Sequence, residues 1–270
     1  MNFFRRSASS GRGLDRLAEQ RRIWKAKPVL ADVYAVWFEV LLGALSVSHR
    51  RVLELGAGPG FFADYAKRRR PELTWIAADI LETPENDLVA DGLQMPFRSG
   101  ALDAILALDV VHHFARPRTF FEEAARVLAP GGCVAVVEPW VTPLSYPIYR
   151  GLHQEGCTLG LDPWLPFGEV STKQPFDGDA AVVWLLLRRT PAAEWAELGF
   201  QPPRSSVLNG FAYLASLGFR ERSLLPRRLA PALLGLDAAA APLAPLLGVR
   251  VHAIWERSAQ RRSAASGDAA

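Results

Sequence analysis

The sequence predicts an α/β protein built on an open, doubly wound and mostly parallel sheet, and three observations carry that prediction. Short apolar runs alternate with helical stretches from Arg51 to Glu138, the rhythm of a parallel sheet covered by helices on both faces. A glycine-rich turn follows the first of these runs, where a strand passes into a helix and ligands can approach the backbone. After Glu138 the alternation stops for about eighty residues before two more strand-like runs, Phe219–Leu225 and Val249–Trp255, a gap too long for an ordinary crossover.

In chain order, residues 1–27 form a basic arm with 8 basic and 2 acidic groups. Its stretch from Leu14 to Lys25 follows a helical period only loosely through Leu14, Leu17 and Ile23, so it reads either as a flexible arm or as a helix folding over the active site. From Pro28 the apolar residues Val29, Leu30, Val33, Val36, Trp37, Val40, Leu41 and Leu45 recur at three and four, marking a helix packed on a core that runs over 28–138. Strands are expected at Arg51–Leu55, Leu73–Ala78, Leu88–Ala90, Leu102–Leu108 and Val134–Glu138, with helices near Phe61–Arg70 and Arg118–Leu128. Residues 139–217 are a candidate lid or substrate insertion. Residues 218–257 supply the last two strands, Phe219–Leu225 and Val249–Trp255, paired antiparallel at one sheet edge. The small polar residues 258–270 are expected to be disordered.

Composition narrows the possibilities. Half of the 270 residues are apolar, 22% are charged, and 21 Gly and 20 Pro punctuate the chain, which describes a globular protein with an adequate core. Cys133 and Cys157 are too few for a disulfide framework or a four-cysteine metal site, so a reducing compartment is expected, with no metal. The N-terminus has no apolar h-region, which makes the cytoplasm the default location. Leu229–Gly248 is apolar but carries Asp237 and three prolines, falling short of the roughly 18–20 residues a membrane span requires. The net charge of +3 is concentrated in the arm: residues 28–140 hold 10 basic and 15 acidic groups and 141–270 hold 13 and 11, so no nucleic-acid groove is expected.

The most informative segment is Glu54-Leu55-Gly56-Ala57-Gly58-Pro59-Gly60. A dinucleotide site requires G-x-G-x-x-G to cradle a pyrophosphate, whereas here the third glycine comes one place early, which argues against NAD. This segment resembles the first motif, E/D-x-G-x-G-x-G, of the class I S-adenosylmethionine-dependent methyltransferases, and the likeness covers roughly residues 50–140. It implies a Rossmann-like seven-stranded sheet with S-adenosylmethionine as the methyl donor. Glu54, Gly56, Ala57, Gly58 and Gly60 would hold the donor through the first motif. Asp79, with Ile80 beside it, stands where the family places the acid that binds the ribose hydroxyls, since a carboxylate accepts two charge-assisted hydrogen bonds from a vicinal diol. Asp91 and Gly92 match the segment that pairs with adenine, and Leu108 ends the fourth strand. Only about a dozen residues separate Asp79 from Asp91, so an irregular loop replaces the usual helix there.

Methyl transfer from a sulfonium needs chiefly in-line alignment and exclusion of water, and a base is optional. His112 and His113 lie where the fourth strand ends, and on an extended segment they would face opposite ways, leaving one of them for the acceptor. Tyr146, Tyr149, Arg150 and His153 would share a helical face if Pro147 opens a helix, making them acceptor contacts or merely an amphipathic surface. The catalytic candidates are therefore His112, His113 and His153. Trp140, Trp164, Phe167, Phe176 and Trp184 enrich the insertion in aromatics, consistent with an apolar acceptor pocket or with ordinary core filling. The expected acceptor is a small or lipid-like molecule, with peripheral membrane contact allowed and the oligomeric state unassigned. The alternatives are a nucleic-acid methyltransferase, a non-catalytic nucleotide-binding scaffold and an NAD-dependent oxidoreductase.

Overall fold

The computed structural model describes residues 8–151, 155–166 and 174–259. Five parallel strands form the body of a seven-stranded sheet: β1 (Arg51–Leu55), β2 (Thr74–Asp79), β3 (Leu88–Val89), β4 (Leu102–Leu108) and β5 (Leu128–Pro139). With β6 (Arg204–Leu208) and β7 (Arg250–Glu256) the order is β3-β2-β1-β4-β5-β7-β6. β7 runs antiparallel to both β5 and β6, which gives the expected mixed edge on a doubly wound sheet. β2 and β3 are joined without a helix, as their close spacing requires.

Both faces of the sheet are buried, because successive strand residues point to opposite sides and both sets are apolar. Val52 and Leu106 join one core cluster while Leu53 and Ile105 join the other. The first cluster is covered by α1 (Ala8–Ala26), α2 (Val29–Leu42) and α3 (Phe61–Arg69), through Ile23, Leu30, Trp37, Phe38 and Phe62. The second is covered by α4 (Pro117–Val127), and, beyond the short α5 (Ser145–Gly151), by α6 (Val182–Arg189) and α7 (Ala192–Glu197). Trp195 of α7 is buried against Phe121 and Trp255, and burying a side chain of that size stabilises by about 2–3 kcal/mol. Residues Val182 to Phe200 of the stretch 139–217 thus contribute to the core. Finally α8 (Phe211–Ser216), α9 (Ala230–Ala239) and α10 (Ala244–Leu247) follow β6, and Ala212 and Ala230 pack on Val29 and Val33 of α2.

One strand is corrected. Phe219–Leu225 is a turn-rich segment, and the strand that pairs with β7 is Arg204–Leu208, in register Arg204↔Ile254 to Leu208↔Arg250. The carbonyls of Ser216, Gly218, Arg220 and Arg222 all accept from the buried Lys27 ammonium, at 2.7, 2.6, 2.7 and 3.0 Å. A segment whose carbonyls converge on one cation is not available for a sheet ladder. β6 was hard to read because it is an edge strand whose first three residues, Arg204-Ser205-Ser206, are exposed, so it needs no apolar alternation. Among the described residues no single helix is long and apolar enough to cross a membrane.

Candidate active site

Helices leave β1 and β4 toward opposite faces, and at the carboxyl ends of these neighbouring strands a cavity of about 660 Å³ opens. Such a topological switch point is where open α/β sheets bind ligands. The glycine turn after β1 forms its floor. Gly56 has a φ of +73°, and a Cβ there would lie 2.4 Å from Val110 Cγ2, so both backbone and space demand glycine. The Gly58 amide donates to Asp79 Oδ2 at 2.8 Å and the Leu81 amide to Oδ1 at 2.8 Å. Each carboxylate oxygen thus keeps a lone pair for a ligand hydroxyl. Burial raises the Asp79 pKa against the pull of these amides, so a diol that donates to it would be welcome.

The other residues expected to hold a donor converge on the same space. Glu54, Gly56, Gly58, Asp79, Ile80, Asp91, Gly92 and Leu108 all line the cavity, whereas Ala57 and Gly60 do not. Ala57 is buried, its amide bonded to the Ala78 carbonyl at 2.9 Å, and Gly60 opens α3. Asp91 Oδ1 accepts from the Leu93 amide at 2.8 Å, which shapes the turn that presents Gly92. Glu54 is buried, accepts from Trp75 Nε1 at 2.9 Å, and is pushed up to about 8 by burial.

His112 and His113 do not alternate across an extended segment. They end a 3₁₀ turn, Val111–His113, with ring centroids 4.1 Å apart, and both line the cavity. His112 Nδ1 lies 2.5 Å from Glu138 Oε2, and Nε2 lies 2.9 Å from Glu155 Oε2. Burial alone would push His112 down, but the two carboxylates overcome it and hold the imidazolium to about 10. Both of its ring nitrogens are engaged by carboxylates, which hold His112 between Glu138 and Glu155. Glu138 accepts the Val110 and Val111 amides at 2.9 and 2.6 Å, and His112 together with these amides keeps it below the usual carboxylate range despite complete burial. His113 is pushed down to about 3 by burial and by the charge on His112. Its neutral ring leaves Nδ1 without a hydrogen-bond partner.

Other expectations fall differently. His153 and Phe167 lie outside the described residues. Tyr146, Tyr149 and Arg150 do not line the cavity; Tyr149 is buried and its hydroxyl donates to the Val249 carbonyl beside β7, while Arg150 is exposed and donates to the Tyr146 hydroxyl. Of the insertion aromatics, Phe176 lines the cavity while Trp140, Trp164 and Trp184 pack against the core. The N-terminal stretch is a helix over the site: Arg16, Leu17 and Gln20 of α1 form part of the cavity wall, and Trp24 stacks on Phe61 with centroids 4.0 Å apart.

Sequence reasoning missed several groups. Glu138 is a charged residue ending an apolar strand, the same signal that singled out Asp79. Asp109, with a φ of +57°, is ion-paired to Arg250, whose guanidinium lies 4.9 and 5.0 Å from the ring centroids of Trp37 and Tyr213. Burial raises Asp109 against the pull of Arg250. Glu155 and Arg250 come from segments far apart in sequence, and nothing local marks either as a site residue.

Residues 53–136 match the model of a methyltransferase domain. An uncharacterized methyltransferase of Mycobacterium sp. strain KMS is 30% identical over 141 residues, 48% of this chain and 51% of the relative. The malonyl-[acyl-carrier protein] O-methyltransferase of Legionella pneumophila is 31% identical over 103 residues, 33% of this chain and 36% of the relative. The chain thus spans about half the length, or less, of these curated relatives. In fold it resembles a chain from the complex between the Haloferax volcanii Trm112 methyltransferase activator and a methyltransferase, with a TM-score of 0.53 at 12% identity over 94% of this chain and 99% of that one.

Proposed function

We propose, on the premise that residues 53–136 are a class I methyltransferase domain, that this protein transfers a methyl group from S-adenosylmethionine to a small-molecule or lipid-like acceptor. The observation that carries the reading is the glycine turn and Asp79 meeting at the switch-point cavity. The residues fit the donor: Gly56 and Gly58 would admit it against the backbone, Asp79 would accept from the ribose hydroxyls, and Asp91 with Gly92 would meet the adenine. When bound, the donor supplies a methyl group on a sulfonium, already an excellent leaving group.

What remains for the chain is positioning and exclusion of water. Leu17 of α1 and Phe176 line the cavity and contribute apolar surface to its wall. The neutral His113 ring lines the cavity, and His112 fixes the turn that carries it. A lipid-like acceptor is supported by aromatic cavity walls, Tyr34, Phe38, Tyr213 and Phe219 among them, and by the exposed Leu229, Leu236, Leu243 and Leu246, which follow Arg227 and Arg228.

Calorimetric titration tests the donor half of this proposal. S-adenosylmethionine and S-adenosylhomocysteine are expected to bind, NAD is not, and Asp79→Ala is expected to weaken binding about 10–100-fold through loss of charge-assisted hydrogen bonds. Transfer of label from the donor into lipid extracts, but not water-soluble metabolites, would support the lipid-like acceptor. A folded protein that binds neither sulfur ligand would overturn the assignment.

A further inference from the structure

We infer that His112, His113 and Glu155 form a binding site for one divalent transition-metal ion, facing the acceptor side of the cavity. One ligand atom from each residue lies within 4.8 Å of the other two. His112 Nε2 is 2.9 Å from Glu155 Oε2, and His113 Nε2 is 3.9 Å from Glu155 Oε1. Donors bonded at about 2.1 Å to a common ion stand roughly 3.0–3.4 Å apart for octahedral or tetrahedral angles, so small side-chain adjustments close the set. Two imidazoles and a carboxylate suit zinc, iron(II), cobalt or manganese, and not calcium, which takes oxygen ligands.

The support behind the first residue is what distinguishes this trio from a chance cluster. His112 turns Nδ1 toward Glu138, which is completely buried and anchored by the Val110 and Val111 amides. A carboxylate behind the far nitrogen fixes the tautomer and aims Nε2, as in carboxylate–histidine–metal triads. The other geometrically possible trio, Asp109, His112 and Glu138, is already committed, since Asp109 pairs with Arg250 and Glu138 serves the two amides. All three ligands line the cavity, so the remaining coordination positions face the space where an acceptor would lie. An ion there would take an acceptor hydroxyl or a pair of vicinal oxygens.

This inference rests on the proposed methyl transfer only for the identity of what the open positions meet, and its test uses neither donor nor acceptor. Protein stripped with chelator is titrated with Co²⁺ alone, following visible d–d absorption and heat. One equivalent is expected to bind with a visible band, and Glu155→Gln and His113→Ala each weaken the affinity at least about tenfold. Glu138→Gln, which touches no ion, is expected to weaken it about 10–100-fold. Melting temperature and circular dichroism, measured on the same samples, show whether each variant is folded. Glu155→Gln, nearly isosteric, serves if the alanine variant unfolds. Binding well below one equivalent, or cobalt affinity unchanged in a folded Glu155→Gln, would overturn the site and leave a self-satisfied ion-pair cluster, whatever the donor titration gives.

Discussion

Replacing Glu54 with glutamine removes a carboxyl group that burial pushes up to about 8 from its ordinary value of 4.5, while keeping an oxygen for Trp75 Nε1 to donate to. An acid whose folded-state pKa lies above its unfolded value binds its proton more tightly when folded. Its contribution to stability is therefore greatest at low pH and is lost as pH rises from about 4.5 through 8. One pKa unit corresponds to about 1.4 kcal/mol, so between pH 5 and pH 8 the wild-type protein loses about 3–4 kcal/mol through this group alone. The glutamine variant has nothing to titrate there. Urea unfolding of both proteins at pH 5, 6, 7 and 8 measures the difference, in which other groups such as Asp79 cancel because both chains carry them. The wild type should fall behind the variant progressively across that range. Two stability curves parallel to within about 0.5 kcal/mol would refute the burial argument for Glu54.

Two further substitutions probe the backbone around the cavity. Gly56→Ala places a Cβ 2.4 Å from Val110 Cγ2 at a φ of +73°; it is expected to cost about 2–4 kcal/mol, lower the melting temperature by roughly 5–10 °C and abolish S-adenosylhomocysteine binding, and a shift below about 2 °C would contradict it. Lys27→Met keeps the aliphatic stem but leaves four buried or half-buried carbonyls without their donor, which is expected to destabilise by about 2–4 kcal/mol and to accelerate amide exchange in residues 216–222. Unaltered exchange there would show that the ammonium does not hold the segment.

The parts of the fold legible in the sequence are those where local pattern and burial coincide. β4 is found at Leu102–Leu108 as its apolar run predicts, and α3 and α4 differ from expectation by one residue at an end, because each buries a face whose period the sequence repeats. β6 fails that condition, being an exposed edge, and Phe219–Leu225 fails it in the opposite sense, with strand-like composition but carbonyls claimed by Lys27. The sheet side of the cavity follows the same rule: the ten residues expected there lie within one stretch, Glu54 to Leu108, in or just after strands, and eight of them line it. The rest of the wall is legible only in part, through the N-terminal helix and His112, because Glu155, Tyr213 and Arg250 also join it and their nearness is a product of topology alone.

That difference bears on how the cavity works. The floor comes from one end of the sheet, while the cover comes from both ends of the chain, α1 from the N-terminal part and the 216–222 segment from the C-terminal part. Lys27, at the junction of α1 and α2, joins them by binding four carbonyls of that segment, and Arg22 of α1 adds an ion pair with Glu221. Exposed ion pairs of the second kind contribute little, so the buried ammonium must carry most of the connection. Phe219 lies inside the tethered segment and stacks near Trp24 and Phe61 at 6.4 and 6.2 Å. Displacing α1 would thus withdraw Leu17 from the cavity wall and remove the packing of Trp24 on Phe61 and Phe219 together. The two ends of the chain that wall the cavity are therefore joined chiefly through Lys27 and the Trp24–Phe219 contact, which a purely local reading of either half would not reveal.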